Sequence, residues 1–76
     1  MGGMAPIQLR KTSPAAMREA LAAHGFEMRM TSLDSGRVLR RGSPVGLWSN
    51  GQLELQLSAE ELSRVRKSLT GLGIAA

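Results

Sequence analysis

A chain of 76 residues supports one domain, and at that size only about 60–65% of the unfolded surface is removed from water, so net stability is expected to be a few kcal/mol. Without cysteine there is no disulfide or thiolate chemistry, one histidine does not make an ordinary zinc site, and no apolar run approaches the ~20 residues that span a bilayer. Ten basic residues stand against six acidic ones and eight of the ten are arginine, whose planar fork suits phosphate and carboxylate; the bland reading of the same cations is a solvated surface.

Met1 to Ala5 is small and Gly-rich, reads as a frayed end, and carries no charged-then-apolar leader, which makes a soluble cytoplasmic protein the default. From Pro6 to Lys11, Ile7 and Leu9 alternate with Gln8 and Arg10, as in a short edge strand that a second copy could pair with. Ser13 at an N-cap, Pro14 at the first helical position and Gly25 just past the end mark a first helix. Met17, Ala20, Leu21 and His24 share its apolar face.

Phe26, Met28 and Met30 alternate with Glu27, Arg29 and Thr31 as in a half-buried strand, and Asp34-Ser35-Gly36 reads as the turn after it. Arg37 to Arg41 is the return strand. Either Val38 or Leu39 faces inward, with Leu39 preferred. Gly42-Ser43-Pro44 breaks that strand, and Val45, Leu47 and Trp48 lead to Asn50-Gly51, a strong hairpin signal.

At Ser58 the hydrophobic period changes. Leu53, Leu55 and Leu57 alternate before it; Leu62, Val65 and Leu69 recur at helical spacing after it. Ser58 with Glu61 has the capping-box spacing, in which the glutamate side chain reaches back to the Ser58 N–H. Gly71 closes this helix with Leu72 packing back, leaving Ile74 and two alanines as a tail. The expected fold is a two-layer α+β domain, with an antiparallel sheet of three strands, or four with Ile7–Lys11, and both helices on one face. Its core would hold Met17, Leu21, Phe26, Met28, Met30, Leu53, Leu55, Leu57, Leu62, Val65 and Leu69.

Four motifs carry a likeness beyond composition: Ala23-His24-Gly25-Phe26-Glu27, the cationic Arg37-Val38-Leu39-Arg40-Arg41-Gly42-Ser43, Asn50-Gly51-Gln52-Leu53, and Leu72-Gly73-Ile74. In that order, over Ser13 to Ile74, the chain resembles the double-stranded-RNA-binding-domain fold and, within it, the HicA-type toxins. The resemblance implies RNA as a partner. HicA-type toxins are ribonucleases whose catalytic histidine follows a Gly-Ser pair at the start of a strand, and here Gly42-Ser43 is followed by Pro44. Where the RNA-binding family places lysines at the start of its last helix, this chain has Glu60 and Glu61.

No constellation of residues points to a reaction, a metal or a cofactor. His24 lies on an apolar helix face with no nucleophile beside it in sequence, Glu60 and Glu61 suit a helix N-terminus, and Gly42 to Gly46 lacks the lysine and helix of a phosphate loop. What remains is basic. Arg37, Arg40 and Arg41 on one strand, with Arg64 and Lys67 on the last helix, could straddle a phosphate backbone and read shape rather than sequence. The first expectation is therefore a non-enzymatic module that binds nucleic acid, RNA included, or a nucleoprotein complex. A second is a small inhibitor or adaptor, of anti-restriction or anti-CRISPR type, docking on a protein's acidic nucleic-acid-binding surface. A HicA-like ribonuclease ranks last. Trp48 either folds back as a lid on the core or stands exposed as a protein-interface anchor.

Overall fold

The structure is a computed structural model that describes residues 6–76; the reading of Met1 to Ala5 lies outside them. The elements run β1 (Ile7–Gln8), α1 (Pro14–Ala22), β2 (Glu27–Met30), β3 (Ser35–Arg40), β4 (Ser43–Ser49), β5 (Gln52–Leu55) and α2 (Ala59–Gly71). The α+β class holds, but the antiparallel sheet has five strands, in the order β1-β5-β4-β3-β2, where three or four were expected. The added strand is β4. Pro44 does not break the chain there, because it is the second residue of the strand and lies next to a bulge, where a missing N–H is tolerated.

Two rungs of side chains cross the inner face of the sheet. One is Met28, Val38, Gly46 and Leu55; the other is Met30, Gly36, Trp48, Leu53 and Ile7. Against them pack Met17, Ala20 and Leu21 of α1 and Val65 and Leu69 of α2, so one core lies between the sheet and both helices. Val38, not Leu39, points into it: Val38 is fully buried in the core cluster, while Leu39 is covered on the opposite side of the sheet. The bulge falls between these two residues' pairings, where Val38 faces Gly46 and Leu39 faces Pro44. The extra residue is Val45, and its side chain turns back against the core.

Both helices end in the same closure. Gly25 and Gly73 adopt φ of 81° and 75°, a left-handed backbone that costs glycine little. After α1 the Gly25 N–H bonds the Ala22 carbonyl and the Phe26 N–H bonds that of Leu21; after α2 the Gly73 N–H bonds Thr70 and the Ile74 N–H bonds Leu69. Each closure turns the apolar residue after the glycine into the core. Phe26 and Ile74 are therefore buried, whereas Leu72, expected to pack back, is 61% exposed.

The C-terminal residues are part of the sheet. Leu9 and Ala75 form an antiparallel bridge, the Arg10 N–H bonds the Ile74 carbonyl and the Ala76 N–H bonds that of Gln8, at 2.8 and 2.9 Å. They cover the outer side of β1. The edge at Ile7–Lys11, open to a second copy in the sequence reading, is thus occupied by the chain's own residues 74–76. Ile74→Ala is expected to cost about 2 kcal/mol, by loss of a buried side chain that also holds this flank; urea denaturation measures it.

Candidate nucleic-acid interface

Alternation along β3 decides where its arginines go. With Gly36 and Val38 inward, Arg40 also turns inward and Arg37 outward, so the two lie on opposite faces. Arg37 sits on the open face in a rung of Arg29, Arg37, Leu47 and Glu54. Leu47 is 57% exposed beside it, and the pair lines two shallow hollows of about 330 and 390 Å³. Arg29 leans back along its own strand to Glu27, at 3.2 Å.

Arg41 occupies the tip of the β3–β4 hairpin. The loop has two residues, Arg41 with φ 54° and Gly42 with φ 81°, closed by the Arg40–Ser43 pair, which is the primed turn geometry that matches strand twist. Arg41 is the one residue other than glycine, among the described residues, with positive φ. Such a backbone costs an L-residue about 1 kcal/mol, and asparagine, aspartate or glycine usually fill the position.

Arg40 is committed to the fold. Its guanidinium lies 5.6 Å from the centre of the Phe26 ring and donates to the Glu61 carboxylate at 2.7 Å. This corrects the capping box. The Ser58 hydroxyl does accept from the Glu61 N–H at 3.2 Å, but the Glu61 side chain bonds Arg40 across the helix–sheet interface, where a charged partner outweighs a neutral backbone N–H. The Arg40 hydrogen bond holds the Glu61 carboxyl below its ordinary value of 4.5; partial burial opposes this, and the charges of Arg40 and Arg64 and the Ser58 hydroxyl reinforce it. A carboxyl depressed in the folded state adds stability that is full above its unfolded pKa and fades as pH falls through the folded value. Melting temperature is therefore expected to drop below about pH 4.5 in the wild type, and less of that drop should remain in Glu61→Gln.

On α2, Arg64 pairs with Glu60 at 3.4 Å, one turn back, and Lys67 is exposed. The five cations expected to form one surface are thus split: Arg37 on the open face, Arg41 at the hairpin tip, Arg40 in an ion pair beneath α2, Arg64 and Lys67 on the helix. Trp48 is 2% exposed on the inner face, opposite Gly36 and Leu53. It is core and leaves the list of interface anchors. His24 shares a small hollow with Phe26, Glu61, Arg64 and Val65, and its Nε2 is buried without a hydrogen-bond partner among the described residues. Among the described residues no group of His, Cys, Asp or Glu is placed to hold a metal, and no helix is long and apolar enough to cross a membrane.

No protein-family model, curated protein or solved structure matches the chain.

The cations are therefore weighed on their own surroundings. Among the described residues, Arg37, Arg41 and Lys67 make no ion pair, while Arg29, Arg40 and Arg64 each do. Parity along β3 is the signal that separates Arg37 from Arg40. Once Val38 is inward, Arg40 must follow it, and reading Leu39 as inward hides its structural role.

Proposed function

We propose that the protein is a small non-enzymatic binding module that contacts the phosphate backbone of nucleic acid through β3 and its hairpin tip, with Arg37 and Arg41 as the principal groups. The observation that carries this reading is Arg41. An arginine held in a left-handed backbone at a hairpin tip, exposed and free of any ion pair among the described residues, does nothing for the fold that asparagine would not do better. Its guanidinium is the reason to keep it there. Arg37, four positions back along the strand and so about 13 Å away, supplies a second contact along a backbone. Arg40 is left out, since its charge is already met by Glu61.

Arg41→Asn separates the two roles. The substitution is expected to hold or raise the melting temperature, by relieving the turn, and to weaken binding to a generic RNA duplex at low salt about tenfold. Arg40→Glu should do the reverse, lowering the melting temperature and sparing affinity in whatever fraction stays folded. Loss of binding on Arg40→Glu with none on Arg41→Asn would overturn the assignment.

A second reading, an inhibitor or adaptor docking on a protein's acidic surface, is favoured by Leu47. A leucine 57% exposed between Arg37 and Glu54 offers an apolar contact flanked by charge of both signs, which suits protein better than phosphate. Absence of any RNA or DNA binding at low salt would favour it.

A further inference from the structure

We propose that β2 is a self-pairing edge, on which a second copy of this chain docks antiparallel about Met28 and makes one continuous sheet of the two. This goes beyond the nucleic-acid reading and does not depend on it.

Among the described residues β2 is bonded to a neighbour on one side only. The Thr31 N–H bonds the Ser35 carbonyl, and the register pairs Arg29 with Arg37 and Glu27 with Leu39, so the main-chain groups of residues 27, 29 and 31 point toward β3. Those of Met28 and Met30 point outward. The Phe26 N–H is bonded to the Leu21 carbonyl of α1, and among the described residues the Phe26 carbonyl takes no bond from β3. A strand centred on the partner's Met28 meets these groups in register. The Met28 N–H and carbonyl bond the carbonyl and N–H of the partner's Met28, and the Met30 N–H bonds the carbonyl of the partner's Phe26, with the reciprocal bond on the other side of the axis.

The side chains agree with that register. On the open face Glu27 comes opposite the partner's Arg29, and Arg29 opposite the partner's Glu27. These are non-hydrogen-bonded positions, where facing side chains stand closest. Natural edges are commonly protected by charges that repel a copy; opposite signs at positions 27 and 29 attract one. Among the described residues of one chain the two pair only with each other, at 3.2 Å and with side chains 59% and 68% exposed, an arrangement easily exchanged for the intermolecular one. Along this edge a groove of about 570 Å³ is lined by Arg18 and Ala22 of α1, by Phe26, Met28 and Met30, and by Glu27 and Arg29. The partly buried Met30 of each copy falls there opposite the partner's Phe26, and completes its burial.

Sedimentation velocity over a concentration series tests the pairing with charge reversals at two exposed positions, each variant checked for its far-UV spectrum. Wild type should pass from monomer to dimer with a Kd of order 10–100 µM. Glu27→Arg alone and Arg29→Glu alone place like charges opposite each other, and each should weaken self-association at least tenfold. An equimolar mixture of these two variants should form a heterodimer, and the double variant E27R/R29E should recover the homodimer. Wild type that stays monomeric up to about 1 mM overturns the proposal; so does a dimer that the single reversals leave unchanged, or a mixture that fails to associate.

Discussion

Gly46→Ala is expected to cost about 3 kcal/mol or more, enough to unfold much of the population of so small a domain. Gly46 lies on the inner rung between Val38 and Leu55, at the bulge in β4. An added Cβ would run into the Glu54 carbonyl oxygen, and would also stand 2.8 Å from a Leu55 methyl and 3.1 Å from the Glu54 carbonyl carbon. A flexible side chain could swing aside, but a carbonyl inside a paired strand cannot. Relief requires β4 and β5 to part, and with them the central pairing of the sheet. Urea denaturation followed by circular dichroism measures the loss; a cost under about 1 kcal/mol would mean that these strands pack less closely than described.

Trp48→Ala is expected to cost about 3–5 kcal/mol, the usual range for emptying a large aromatic site in a core. Trp48 is the only tryptophan, 2% exposed, and sits opposite Leu53 on one side and Gly36 on the other. Its Nε1 is buried without a hydrogen-bond partner among the described residues, so the indole N–H adds no stability, and Trp48→Phe removes an unsatisfied donor along with part of the ring area. The phenylalanine variant should therefore lose less than half as much as the alanine variant. Native emission of the wild type should be blue-shifted and should move red in the unfolding transition. Red-shifted emission from the folded protein would place the ring in water and contradict its position.

The parts of the fold that were legible in the sequence are those fixed by local chemistry. Ser13 with Pro14, Ser58 and the glycine at 25 set helix boundaries because each answers to main-chain groups within a few residues, whereas Gly71, expected to close α2, is its last helical residue and the left-handed closure falls at Gly73. Alternation through Leu53 and Leu55 located β5 for the same reason. The parts set by partners distant in sequence were not legible. The turn expected at Asp34-Ser35-Gly36 falls over residues 31–34, because Gly36 belongs in β3 opposite Met30, where a side chain would meet the Arg29 carbonyl at 2.8 Å. Glu61 looked like half of a capping box until the sheet brought Arg40 to it. Val38 and Leu39 are both apolar, so the side facing the core could not be read from β3 alone, and the destinations of Arg37 and Arg40 turn on that one-residue difference.

For the cations the consequence is direct. Among the described residues two of the five expected site residues, Arg37 on β3 and Arg41 at its hairpin tip, stand exposed without a carboxylate partner where phosphate is proposed to bind; Lys67 is exposed on α2; Arg40 and Arg64 are held in ion pairs. The most direct measurement is the salt dependence of binding to a duplex RNA of generic sequence, for wild type and for Arg37→Glu with Arg41→Glu. If these arginines neutralise phosphates, log affinity falls linearly with log salt concentration, and the double variant loses about two from the slope along with most of the affinity. A slope unchanged by the double variant, or wild-type binding that is insensitive to salt, would contradict it.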